Sequence, residues 1–162
     1  MATELKNLSE FNADQVPSAS GMKFGIVVAE WNTEITDALC QGAIKILTQF
    51  NAQQIETVTV PGTFELAMGA QFLLEKGMVD AVICIGCVIQ GETKHFDFIC
   101  NASSQGITEL NLKYNKPVIF GVLTPNTMQQ AIDRAGGKHG NKGDEAAITA
   151  IKMVALKKAI LS

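Results

Sequence analysis

Four short apolar runs recur along the chain, separated by stretches in which apolar residues repeat at helical spacing. Lys23 to Ala29 (KFGIVVA) has the β-branched, uninterrupted apolar character of a buried strand. Thr33 to Phe50 follows as a helix, with Ile35, Leu39, Ala43, Ile46, Leu47 and Phe50 on one face and Asn32 or Thr33 placed to cap it. Ile55 to Val60 alternates like a strand and stops at Pro61-Gly62, after which Phe64 to Lys76 is a helix closed by Gly77. Val79 to Val88 predicts a third strand, His95 to Tyr114 a third helix and Pro117 to Leu123 a fourth strand. A short helix from Thr127 to Ala135, behind Asn126, and a final helix from Asp144 to Leu161 complete the order. Ala146, Ala147, Ile148, Ile151, Met153, Val154, Ala155, Leu156 and Ile160 ring much of that last helix, a surplus of apolar surface that calls for a partner subunit. Residues 1–21 are polar, contain Pro17 and end in Ser18-Ala-Ser-Gly21; they read as a flexible tail, leaving 22–162 as one domain.

The alternation β-α-β-α-β-α-β-α-α predicts one parallel sheet with right-handed crossovers, a three-layer αβα sandwich of flavodoxin-like type with four parallel strands flanked by helices. All βα loops of such a sheet open at its carboxyl edge, where ligands bind beside the topological switch point. Those loops are Glu30 to Thr33, Pro61 to Glu65, Gln90 to His95 and Thr124 to Asn126, and they hold most of the unusual residues.

Composition narrows the possibilities. Of the 162 residues 47% are hydrophobic and 18% charged, and so light a charge suits a surface partly covered by other subunits. The net charge of −3, with no basic stripe, speaks against nucleic acid as a partner. No apolar run reaches membrane-spanning length, and MATELKNLSEF lacks the basic-then-apolar order of a signal peptide, so a cytoplasmic protein is expected. Cys84 and Cys87 have C-x-x-C spacing, but residues three apart on a strand face opposite sides. With no second such pair or His pair to complete a metal site, Cys40, Cys84, Cys87 and Cys100 read as reduced thiols, and no metal or cofactor is expected.

The chemistry concentrates in Gly86-Cys-Val-Ile-Gln-Gly-Glu-Thr-Lys-His-Phe-Asp-Phe98, where a buried strand passes through a Gly-containing turn into a helix. Free amides at the positive end of that helix favour an anion. His95 stands at the same end, where the dipole favours a neutral imidazole able to exchange a proton; a surface histidine that merely begins a helix is the plainer account. Glu65 is either a first-turn carboxylate stabilising its helix or a polar group aimed at a ligand. Trp31, the one tryptophan, follows an aliphatic strand and suits stacking on a planar heterocycle, whereas Phe120 reads as core. Arg134 precedes Ala135-Gly-Gly-Lys-His-Gly-Asn-Lys-Gly143; with Lys138 and Lys142 it could hold a phosphate or simply form a solvated basic loop. Neither P-loop nor G-x-G-x-x-G spacing is present.

Taken together, Trp31-Asn32 after the first strand, PGTFE at 61–65, GCVIQGETKHFDF at 86–98 and AIDRAGGKHGNKG at 131–143 resemble the 6,7-dimethyl-8-ribityllumazine synthase family over about residues 22–160. The resemblance implies a transferase of riboflavin biosynthesis, condensing 5-amino-6-(D-ribitylamino)uracil with 3,4-dihydroxy-2-butanone 4-phosphate. It implies that His95 is the acid/base residue, and that Trp31, Thr63, Phe64, Glu65, Cys87, Val88, Ile89 and a neighbouring subunit's Phe120 bind the aminouracil. Glu92, Thr93 and Arg134 would bind the butanone phosphate, with Asn32 and Lys142 as further candidates. The family also implies a homopentamer, a 60-subunit icosahedral shell and riboflavin synthase as a candidate partner. Gln90 and Glu92 depart from the family's common arginine and small residue, which leaves the phosphate more dependent on Arg134 and Glu92 to act through its backbone N–H. A non-catalytic flavin-binding module is the rival on the same sheet order, and a phospho-acceptor receiver domain is disfavoured by the lack of aspartates ending strands one and three.

Overall fold

The computed structural model describes residues 7–161. The apolar runs become four parallel strands, β1 (Lys23–Ala29), β2 (Gln54–Val60), β3 (Ala81–Cys87) and β4 (Val118–Leu123), in the order β2-β1-β3-β4. Helix α1 (Thr33–Gln49) and the long α5 (Lys142–Leu161) cover one face; α2 (Leu66–Lys76) and α3 (His95–Tyr114) cover the other. The fold is the expected three-layer, flavodoxin-like sandwich. Strand pleating divides the core: Phe24, Ile26 and Val28 pack towards α1 and α5, while Val27 and Ala29 pack towards α2 and α3. The central strand β3 is buried along its whole length, which is why it reads as an unbroken apolar run. The edge strand β2 alternates between exposed and half-buried residues, as its sequence does. Cys84 and Cys87 fall in opposite halves of the core and all four cysteines are free thiols. Among the described residues no helix is long and apolar enough to cross a membrane.

Four features differ from expectation. Asn32 does not cap α1 through its side chain, because its backbone is left-handed (φ 62°, ψ 45°) and its amide is used elsewhere. The glycine-rich stretch after the short α4 (Met128–Arg134) is no loop but a hairpin, β5 (Ala135–Gly137) paired antiparallel with β6 (Gly140–Asn141). The part of the expected flexible tail that is described, 7–21, lies packed against the domain: Val16 and Ala19 are buried in the core, Phe11 stacks obliquely on Phe50, and the Ala19 amide donates to Phe50 O. Helix α5 has less surplus apolar surface than its sequence suggests. Ala146, Ala147, Ile148, Ile151 and Val154 are consumed between α1 and the sheet, leaving Met153, Leu156 and Ile160 exposed.

The tightest join is where α5 begins. The Asn141 side chain accepts from the Gly143 amide (2.7 Å) and donates to Ala38 O on α1 (2.8 Å). This brings the two helices so close that a Cβ on Gly143 would press into the carbonyl of Leu39. Replacing Gly143 with alanine should therefore cost roughly 3 kcal/mol, the upper range for overpacking, and lower the thermal midpoint by roughly 5–10 °C. A calorimetric scan showing an unchanged midpoint would mean that α1 and α5 part freely.

Candidate active site

The chain leaves β1 for β2 on one side and then crosses to β3 on the other, so the loops after β1 and β3 diverge at the carboxyl edge. A cavity of about 730 Å³ opens between them. One side chain spans the gap. Asn32 Nδ2 donates to Cys87 O at 2.8 Å, joining positions 55 residues apart. The left-handed backbone of Asn32 makes this reach possible and turns Trp31 outward, where it stands 73% exposed at the cavity mouth.

Three loops supply the walls. Trp31 and Asn32 come from the first, and from the second Pro61 and Gly62 with Thr63, Phe64 and Glu65 of the 3-10 turn ahead of α2. Cys87, Val88, Ile89, Gly91, Thr93 and His95 come from the loop after β3, which stays aligned because Val88 N donates to Leu123 O and Gln90 N to Pro125 O. His95 is the first residue of α3, and its amide donates to Thr93 Oγ1 at 3.4 Å. The lining is mostly apolar; among the described residues its ionisable groups are the carboxylate of Glu65, the imidazole of His95 and the thiol of Cys87, with neither lysine nor arginine. Burial pushes the Cys87 thiol up to about 11 and the Cys84 thiol up to about 12, which leaves both protonated and unreactive near neutrality.

Ten of the residues singled out from the sequence thus meet in one cavity: Trp31, Asn32, Thr63, Phe64, Glu65, Cys87, Val88, Ile89, Thr93 and His95. Four do not line it. Glu92 lies exposed beside it, and Phe120 is half-buried on the edge strand β4. Lys142 is paired with Glu145 at 2.9 Å, and Arg134 lays Nη1 against Gln130 O of its own helix at 3.1 Å.

The sequence profile described as 6,7-dimethyl-8-ribityllumazine synthase matches residues 21–158. Relatives of that name from Cytophaga hutchinsonii and Parabacteroides distasonis are 62% and 56% identical, covering 96% and 95% of this chain and 98% of each relative. One from Flavobacterium johnsoniae is 58% identical over 97% of this chain and 84% of its own length. The chain belongs to the 6,7-dimethyl-8-ribityllumazine synthase family. A solved ABC domain from Streptococcus pneumonia, in complex with L-Trp, superposes with a TM-score of 0.35 at 18% identity, over 85% of this chain and 40% of that one, too loosely to bear on fold or ligand.

Of the four sequence motifs that carry the family resemblance, three face the cavity and the fourth, 131–143, lies off its wall. The structure adds Pro61, Gly62, Gly91, Phe96 and Ile99 to the lining. Ile99 was legible, since it stands one turn after His95 on the same helix face; Phe96 was not, because nothing in the spacing tells which flank of α3 meets the loop.

Asn32 combines two requirements that substitution can separate. Asn32→Gly keeps the left-handed backbone and loses only the bond to Cys87 O, at about 1 kcal/mol. Asn32→Ala loses the bond and also strains the backbone, at about 2–3 kcal/mol in total. Chemical denaturation should rank alanine below glycine; the reverse order would remove backbone strain from the account.

Proposed function

We propose that this chain condenses 5-amino-6-(D-ribitylamino)uracil with 3,4-dihydroxy-2-butanone 4-phosphate to give 6,7-dimethyl-8-ribityllumazine, the penultimate step of riboflavin biosynthesis. The observation that carries the reading is the meeting of a flat aromatic, a carboxylate and an imidazole in one cavity at the switch point of a chain in this family. Trp31 stacks on the uracil ring, while Thr63, Phe64, Glu65, Cys87, Val88 and Ile89 hold the ring and ribityl chain. Thr93 and the backbone at Glu92 receive the phosphate at the start of α3. The primary amine attacks the ketone and water leaves to form an imine. Phosphate is then eliminated, and the second nitrogen closes the ring with loss of another water. His95 moves protons in these steps, and most of the acceleration comes from alignment of the two reactants. Replacing His95 with alanine should lower turnover by up to ~10²-fold, the low end for acid/base groups. Turnover is followed by lumazine fluorescence, whose complete absence from the unaltered protein would favour a flavin-binding module instead. Unchanged turnover in the variant would remove His95 from the mechanism.

The site is completed by a neighbouring subunit. Among the described residues the cavity's own lining brings no cation to a phosphate ester, and an apolar stripe leads from it onto α2: Phe64 in the turn and Met68 and Phe72 on the helix are spaced four apart and each is more than half exposed. A second subunit laid over that stripe would add Phe120 to the aromatic wall and Arg134 as the phosphate clamp, with Lys142 nearby. The assembly is a homopentamer, and twelve pentamers form the 60-subunit shell, with riboflavin synthase as its candidate partner. Four free cysteines suit the reducing cytoplasm. Arg134→Gln should raise KM for the butanone phosphate much more than KM for the aminouracil, because a bidentate charge-assisted bond is lost from one substrate only. Equal effects on both would give Arg134 a general structural role, and native mass showing an active monomer would end the shared-site account.

A further inference from the structure

Residues 7–9 lie across the hairpin that follows Arg134. The Leu8 amide donates to His139 O at 2.7 Å, and the Asn141 amide donates to Ser9 Oγ at 2.9 Å. Asn7 Oδ1 accepts from the Ser9 amide at 2.9 Å, folding this short segment onto Gly140. Gly140 is left-handed (φ 79°), and a Cβ there would lie 2.6 Å from the Ser9 nitrogen and closer still to Asn7 Oδ1. Segment and hairpin are therefore fitted to each other, atom against atom.

The hairpin is tied in turn to the end of α4. The His139 amide donates to Asp133 O at 2.7 Å, and a Cβ on Gly137 would lie 2.8 Å from Ile132 O. Arg134 sits between these anchors, immediately before β5. On the opposite side Asn141 holds the hairpin to α1 and α5 through Ala38 O and the Gly143 amide. Strands of three and two residues have little stability alone, so their placement depends on what flanks them.

We propose that residues 7–9 are a strap that positions Arg134 for the phosphate of the butanone substrate. This rests on the reading of Arg134 as the phosphate clamp. A guanidinium recognises phosphate through a fixed bidentate geometry, so a hairpin free to shift costs phosphate affinity while the aminouracil subsite, built on other loops, is untouched. Leu8, through its amide, and Ser9, through its hydroxyl, are positioning residues and touch neither substrate.

The test compares the full chain with a chain lacking residues 1–9, and with a full-length Leu8→Pro/Ser9→Ala variant that keeps the segment but removes the amide donor and the hydroxyl acceptor. Both should raise KM for the butanone phosphate about 3–10-fold, with turnover at saturation and KM for the aminouracil unchanged. Hydrogen exchange at the Asn141 amide should quicken, and that at the α3 amides should not. Introduced into an Arg134→Gln background, the same changes should have no further effect on KM, since the strap acts only through that residue. A strap variant with unaltered KM, beside an Arg134→Gln variant whose KM rises, overturns the strap and leaves the clamp. An Arg134→Gln variant with unaltered KM overturns both. If the shortened chain loses its assembly, the full-length double variant alone decides.

Discussion

The site depends on a reversal in strand order. A four-stranded parallel sheet ordered β2-β1-β3-β4 must send its chain outward from β1 in both directions, and the loops above β1 and β3 then separate. That separation creates a cleft without spending any apolar side chain on it. Left open, the two strand ends would be coupled only through the sheet beneath them. The Asn32 amide on Cys87 O couples them directly, a side chain from the first loop reaching the backbone of the third. Trp31 stands on one wall and Val88 and Ile89 on the other.

Most of the layout could be read in the sequence, because the forces behind it are local or periodic. Buried parallel strands need apolar β-branched runs, and α1 needs an apolar stripe; both signals stand in the chain unmixed. Site residues were legible for a further reason: at a strand's carboxyl end, side chains such as His95 and Trp31 do no work in the core, so their chemistry stands out. What stayed hidden has no period. The hairpin at 135–141 is held by two registered pairs and close glycine contacts, and glycine-rich sequence reads equally as loop. Residues 7–21 are fixed by backbone donors and by a few apolar contacts such as Val16, Ala19 and Phe11, so their polar composition gave no sign of it. The role of Asn32 was hidden because helix capping and a left-handed bridge draw on the same residue type.

The final helix shows how surplus apolar content can mislead. An apolar circumference is expected either on a helix that meets another subunit or on one held between two layers of its own domain. Helix α5 is mainly the second kind, since Ala146, Ala147, Ile151 and Val154 are spent against α1 and the sheet. The residue pattern more telling for association runs from the turn ahead of α2 onto that helix, where Phe64, Met68 and Phe72 repeat every fourth position without cover from the described residues. Phe64 belongs both to this stripe and to the cavity wall.

In the proposed shared site, Phe64 is where assembly would meet the chemistry. A cavity whose ionisable lining is one carboxylate, one imidazole and a protonated thiol can orient a neutral heterocycle and pass protons, but a phosphate ester needs cationic partners as well. Arg134, the last residue of α4, stands off the wall of its own cleft, so on the proposed shared site the guanidinium would reach the phosphate only from a neighbouring subunit. The division also explains why so few groups suffice. Condensation of an amine with a ketone is limited mainly by bringing the reactants together in the right order, and a cleft walled by Trp31, Phe64 and Ile89 supplies that order through shape.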